Sequence, residues 1–163
     1  MKKIIIFIVY FFAIGAFSSA IAGTSGNTSV CPVMNGEINK SISFTYKDKD
    51  YYFCCPVCVN TFKANPEKYI SKIKSSKFEA YQFAFSPEKI VVKKGDIVQL
   101  SVSSRDVPHG IYIKEYNINV PVRKGEVKTI EFLADKPGVF PITCSVYCGR
   151  DHSTMSGQLI VES

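Results

Sequence analysis

Hydrophobic and polar positions follow three successive rhythms along this chain. Residues 4–17 form an apolar run behind Met1, Lys2 and Lys3, and small residues follow up to Ala22. A charged head, an apolar core and an Ala-x-Ala ending make the pattern of a cleaved export signal over 1–22. If the segment is retained, its apolar length is close to the roughly 20 residues that span a bilayer, and it would anchor the chain. The chain is therefore expected to be exported, to the periplasm or another extracytoplasmic space, and membrane-anchored if the signal is not removed.

The second rhythm follows a small polar stretch, 23–30, which is expected to be a flexible leader. Residues 41–46 alternate polar and apolar, 47–50 are a polar turn, and 51–54 resume an extended pattern, which predicts a hairpin. Val59, Phe62, Tyr69 and Ile70 then recur at helical spacing, with Pro56 acceptable in a first turn and Asn65-Pro66 as a break and restart. Together these predict a small α+β, cysteine-rich module over 31–73. The polar, basic stretch behind it is expected to be a linker at 74–79.

The third rhythm is a series of short strand-like runs at 80–85, 90–92, 97–103, 110–113, 126–133, 138–144 and 157–161. Glycine and proline punctuate them, as in a β-sandwich or barrel, so 80–163 is expected to be a second, all-β unit. The whole chain is then mainly β.

Composition narrows the function. The 163 residues carry a net charge of +6, and loss of 1–22 would remove two lysines and no acid. A mild, dispersed basic excess suits docking to an acidic partner and gives no argument for nucleic acid. All six cysteines lie beyond the signal, so one reading is a set of disulfides formed after export. Their grouping into two local clusters, each accompanied by other donor-type residues or a recognisable pattern, favours metal binding.

Cys144, Cys148, His152 and Met155 fall within twelve residues, and His109 lies upstream. These are soft donors suited to copper. His109, Cys148, His152 and Met155 already match the recipe for a single copper ion. Cys144 is surplus to that recipe, and a second thiolate would allow both sulfurs to bridge a pair of ions. In this segment the chain resembles the binuclear copper A site of cytochrome c oxidase subunit II and nitrous-oxide reductase. The resemblance extends over residues 80–162, through Phe85-Ser86-Pro87, Asp106-Val107-Pro108-His109-Gly110 and the run from Ala134 to Cys144. It implies a cupredoxin-like Greek-key β-sandwich with His109, Cys144, Cys148, His152, Met155 and the backbone carbonyl of Val146 as copper ligands. It also implies electron transfer with a cytochrome or a terminal reductase or oxidase. Oxidase subunits usually carry Glu between the two cysteines. Val146 cannot serve a second metal as that side chain does, and the sequence lacks the pair of membrane helices the resemblance implies for an oxidase subunit, so a stand-alone or accessory protein is expected.

The first module has its own signature. Cys31-Pro32-Val33, Cys54-Cys55-Pro56-Val57-Cys58, Phe62 and Asn65-Pro66-Glu67-Lys68-Tyr69 resemble the YHS or TRASH-type metal-handling module. Three thiolates at Cys31, Cys54 and Cys58 would suit Cu(I) or Zn(II). Cys55 is expected to point away from its neighbour on an extended segment and to serve at most as an exchange ligand. Met34 reads as a soft donor or as packing filler. Cys55-x-x-Cys58 also matches a thiol redox motif, and Val59 in place of His excludes c-type haem attachment. The module supports a second function class, a periplasmic copper chaperone or resistance protein exchanging copper with a donor or acceptor protein. No nucleophile–base arrangement stands out, so an electron carrier or an accessory component of an oxidase or reductase is expected rather than a catalyst.

Overall fold

A computed structural model describes residues 24–163, and the export signal expected at 1–22 lies outside them. Among the described residues no helix is long and apolar enough to cross a membrane.

The hairpin forms as the alternation predicts. Strand β2 (Asn39–Tyr46) pairs antiparallel with β3 (Lys49–Phe53). Lys47 and Asp48 both take positive φ, 49° and 60°, which is the two-residue turn whose twist matches a hairpin. Helices α1 (Pro56–Ala64) and α2 (Pro66–Ile70) follow, split at Asn65, whose side chain accepts from the Lys68 N–H. Phe62 sits at the centre of a small core, with its ring 5.0 Å from Tyr51, 5.1 Å from Phe53 and 6.1 Å from Tyr69. Cys31 and Cys58 are buried in the same cluster.

The polar stretch before Cys31 is ordered over the described residues, contrary to the flexible leader expected there. Strand β1 (Thr24–Ser25) runs parallel to β3. The fully buried Asn27 side chain donates to the carbonyls of Val30 and Tyr52 and accepts from the Tyr52 N–H. Satisfied polar groups thus do the ordering that apolar burial does elsewhere.

A two-sheet sandwich makes up the rest. One sheet has the order β10 (Val127–Leu133), β7 (Ile97–Ser104), β4 (Ile73–Tyr81) and β5 (Ala84–Ser86). The other has β6 (Lys89–Lys93), β12 (Ser156–Glu162), β11 (Gly138–Thr143), β8 (His109–Ile113) and β9 (Ile118–Val122). Neighbours are mostly non-consecutive, so the chain passes repeatedly between the sheets. Phe78, Leu100, Val102, Ile111, Ile113, Ile142 and Leu159 are fully buried between them, each stabilising the fold by roughly 1.5–3 kcal/mol.

Three details differ from the expectation. Residues 74–79 are not a linker. They lie in β4, which runs parallel to β7 from Ile73↔Ile97 to Ala80↔Ser104. Only Phe78 and Ala80 in this strand are buried; Ser75 and Lys77 lie on the opposite face, and Lys74 and Ser76, on the same face as Phe78, stand at the less buried end of the strand, so the segment looks like a loop. The run at 80–85 is broken into the end of β4 and the start of β5, a tight hairpin turning at Gln82-Phe83. Strand β9 is not among the expected runs; it carries Pro121 and is an edge strand, where a missing N–H is tolerated.

Candidate metal centres

Strand ends gather the C-terminal donors at one end of the sandwich. His109 opens β8, Cys144 follows β11, a short 3-10 turn (His152–Thr154) carries His152, and Met155 immediately precedes β12. Cys144 Sγ lies 3.7 Å from His109 Nδ1, 3.1 Å from the Val146 carbonyl and 4.0 Å from Cys148 Sγ. Cys148 Sγ in turn lies 3.5 Å from His152 Nδ1 and 3.8 Å from Met155 Sδ. All six expected donors are therefore brought together, with the two sulfurs at the middle and one imidazole beside each.

This donor set fits copper. Metal–thiolate bonds of about 2.3 Å, as at zinc, let two sulfurs 4.0 Å apart both reach an ion between them. His109 and Met155 are buried, whereas His152 is half-exposed and packs its ring 5.7 Å from that of the exposed Tyr147. Burial, followed by the charge of Cys144, pushes the Cys148 thiol up to about 11. Binding a metal ion here must displace that proton.

The surroundings hold the donors in place. His109 Nε2 faces Asp106 Oδ1 at 2.8 Å. Burial raises the Asp106 pKa, but hydrogen bonds from the Gln82 N–H, the His109 ring and the Val107 N–H outweigh it and hold the carboxyl at about 2. An ionised Asp106 accepts the Nε2 proton and leaves Nδ1 free toward Cys144. The Gly110 N–H points at Cys144 Sγ, 3.5 Å away. Gln82, on the β4–β5 turn, donates its side-chain amide to the Cys148 carbonyl. Gly149 sits under that turn with φ 132°, a conformation that favours glycine.

Asp106 and Gln82 were not singled out from the sequence. Asp106 was within reach of such a reading, three residues before a candidate His ligand. Gln82 is 66 positions from Cys148, and no local pattern joins them.

The N-terminal cysteines form a second cluster. All six cysteines are free thiols, and the sulfurs of Cys31, Cys54 and Cys58 lie within 4.8 Å of one another. Burial, then contacts with Cys55, Cys54 and Cys31, pushes the Cys58 thiol far above its ordinary range. For Cys31, burial acts upward too, but backbone groups of Met34, Cys54 and Val33 around its sulfur bring it below its usual value. Cys55 does not point away as the extended spacing suggested. Its Sγ lies 3.4 Å from Cys58 Sγ, because the first turn of α1 folds Cys58 back over it, with the Cys58 N–H donating to the Cys55 carbonyl at 3.1 Å. Met34 is 66% exposed.

Hydrogen bonds to Glu131 and Gln99 tie the segment before Cys31 to the sandwich, Gln99 donating to the Gly26 carbonyl at 3.0 Å. Glu131, on β10, accepts from the backbone N–H groups of Thr28, Ser29 and Val30 at 2.7–2.8 Å and from the Gln99 amide at 2.7 Å.

Residues 53–161 match the cupredoxin-like domain family. The chain belongs to that family. This cupredoxin-like chain is 37% identical over 83 residues to cytochrome c oxidase subunit 2 of Thermus thermophilus, covering 51% of this chain and 62% of that protein. It is 39% identical over 84 residues to nitrous-oxide reductase of Cupriavidus necator, covering 49% of this chain and 13% of that protein. The chain thus covers less than two thirds of either relative. Among solved structures it is similar to a chain of a heme-copper terminal oxidase dimer, with 32% identity and a TM-score of 0.51 over 55% of this chain and 65% of that one. The periplasmic domain of cytochrome oxidase subunit II from Bradyrhizobium japonicum, 19% identical with a TM-score of 0.50, shares the fold.

Proposed function

We propose that this chain is an exported copper protein that transfers electrons through a binuclear copper A site. Its ligands are His109, Cys144, the Val146 carbonyl, Cys148, His152 and Met155. One observation carries the reading: two thiols 4.0 Å apart, each with its own imidazole nitrogen at 3.5–3.7 Å. A mononuclear site uses both imidazoles and one thiol, and leaves the second thiol, Cys144, without a role. The similarity to oxidase subunit 2 and nitrous-oxide reductase supports the same assignment.

Two copper ions held by these residues would supply electron exchange with little change of geometry. The chain's own residues make that geometry rigid. Asp106 fixes the His109 ring, Gly110 and Gln82 hold the two cysteine segments, and strands on both sides of the ligand loop limit its motion. His152 and the exposed Tyr147 form the side open to a redox partner, a cytochrome or a terminal oxidase or reductase. Copper-loaded protein should contain two coppers at this site, give a seven-line paramagnetic-resonance pattern and exchange electrons with a soluble cytochrome. One copper with a four-line pattern would refute the assignment.

The convergence of Cys31, Cys54 and Cys58 favours a second reading, in which residues 31–73 are a YHS/TRASH-type module that captures Cu(I) or Zn(II). The protein would then be a copper chaperone or resistance protein, exchanging metal with a donor or acceptor. Slow electron exchange beside rapid metal exchange would favour this reading over the carrier.

A further inference from the structure

We infer that the N-terminal thiol cluster is a transfer site for Cu(I), that Cys55 is the ligand through which the ion enters and leaves, and that the exchange partner is a separate thiolate-bearing protein. This rests on the reading that Cys31, Cys54 and Cys58 bind metal. It goes further in naming the cargo, the route and the partner's chemistry.

The cluster is graded in depth. Cys31 and Cys58 are 0% and 1% exposed, whereas Cys54 and Cys55 are half-buried. Cys58 Sγ is the hub, 3.5 Å from Cys54 Sγ and 3.4 Å from Cys55 Sγ. The mutually close set is Cys31, Cys54 and Cys58, and Cys55 stands beside it as a fourth thiol. A structural zinc site closes four ligands in a tetrahedron. A compact set of three thiolates with a fourth alongside suits Cu(I), a soft ion, better.

Exchange then proceeds by ligand substitution without a change of oxidation state. A bond from the ion to Cys55 forms as the bond to the most buried thiol, Cys31, breaks. One partner thiolate then displaces Cys54, a second displaces Cys58, and the ion passes to the partner when its remaining bond, to Cys55, breaks. Each thiol that binds gives up its proton, and each that leaves takes one back. Met34 and Val57, 66% and 69% exposed, lie within three residues of Cys31 and Cys58 in the chain and offer a docking protein apolar side chains.

The chain's own copper centre is badly placed to be the partner. Residues 28–30 are clamped on Glu131, which lies opposite Gln99 on β7. From Gln99 the strand runs five residues to Ser104 before the chain reaches Asp106 and His109, about 17 Å at the usual strand rise. Direct ligand substitution requires both sulfurs on one ion, at roughly 2.3 Å each.

The test uses the full-length chain carrying Cys144→Ser and Cys148→Ser, so that only the N-terminal thiols hold Cu(I). Affinity is read by competition with a chromophoric Cu(I) chelator, and exchange rate by stopped-flow transfer to a small dithiol. Cys55→Ser is expected to leave affinity within about threefold and to slow exchange at least tenfold, while Cys54→Ser lowers affinity by roughly 10–100-fold or more. Cys55→Ala should behave like Cys55→Ser. Exchange at the parent rate in both Cys55 variants would overturn the inference, whereas failure of the parent protein to bind Cu(I) would overturn the underlying reading instead. In the otherwise unaltered chain loaded only at the N-terminal thiols, copper should reach the C-terminal site with an apparent first-order rate constant that rises in proportion to chain concentration. A concentration-independent rate constant would overturn the assignment of a separate partner.

Discussion

Asp106 Oδ1 meets His109 Nε2 at 2.8 Å, and the opposite ring nitrogen faces Cys144 Sγ at 3.7 Å. One buried imidazole is thus held between an ionised carboxylate and a thiol. Asp106→Ala should remove the acceptor that selects the ring's tautomer and orientation, lowering copper affinity at this site by about 10–100-fold. Asp106→Asn should lose less affinity but shift the reduction potential, since its neutral amide oxygen still accepts the Nε2 proton. Chelator competition and potentiometry check both.

Cys144→Ser should leave His109, Cys148, His152 and Met155, the ligand set of a mononuclear centre. The variant is expected to bind at most one copper, lose the shared-valence spectrum and exchange electrons more slowly. Unchanged stoichiometry would show that this thiol is not a ligand.

Gly110 has almost no space for a side chain. A Cβ there would stand 2.1 Å from Ser145 Oγ and 3.0 Å from the Val146 nitrogen. The serine side chain can rotate away, but the backbone of the ligand loop cannot. Gly110→Ala is therefore expected to displace Ser145 and Val146, and with them the carbonyl that faces Cys144. Altered copper spectra beside a retained β-rich circular dichroism spectrum would be the signature. A spectrum identical to the parent's would show that the loop yields freely.

Glu131→Ala should release residues 28–30 from the sandwich. Three backbone N–H groups would lose a charged acceptor, at a cost of about 2 kcal/mol, or on the order of 5 °C in thermal midpoint for a chain of this size. Amide hydrogen exchange should quicken at Thr28, Ser29 and Val30 first.

Truncation tests the strand that replaced the expected linker. A fragment beginning at residue 73 keeps all of β4, while one beginning at residue 80 loses Phe78 from the core and leaves β7 without its parallel partner. Only the longer fragment should fold cooperatively and bind copper; equal melting curves would show that β4 is dispensable.

Donor identity and local conformation were legible in the sequence because both are short-range properties. Cys144, Cys148, His152 and Met155 share one loop whose spacing already limits which of them can meet, and the alternation at 41–46 followed by Lys47-Asp48 encodes a hairpin in neighbouring residues. The helix break at Asn65-Pro66 was visible for the same reason.

Tertiary structure decided what depends on partners distant in the chain. Whether residues 74–79 form a linker or a central strand turns on their pairing with β7, and their own polarity, with Phe78 as the one buried residue among them, pointed the wrong way. The order of residues 28–30 depends on a carboxylate about a hundred positions later, and the support of Cys148 by Gln82 depends on the packing of a hairpin turn against the ligand loop. Cys55 lies between these cases. Its extended backbone turned it away from Cys54 in the sequence reading, and the first turn of α1 brought Cys58 back against it. Spacing along a chain encodes periodicity and turns, but sheet register and long-range packing are settled only when separate segments bury their faces against one another.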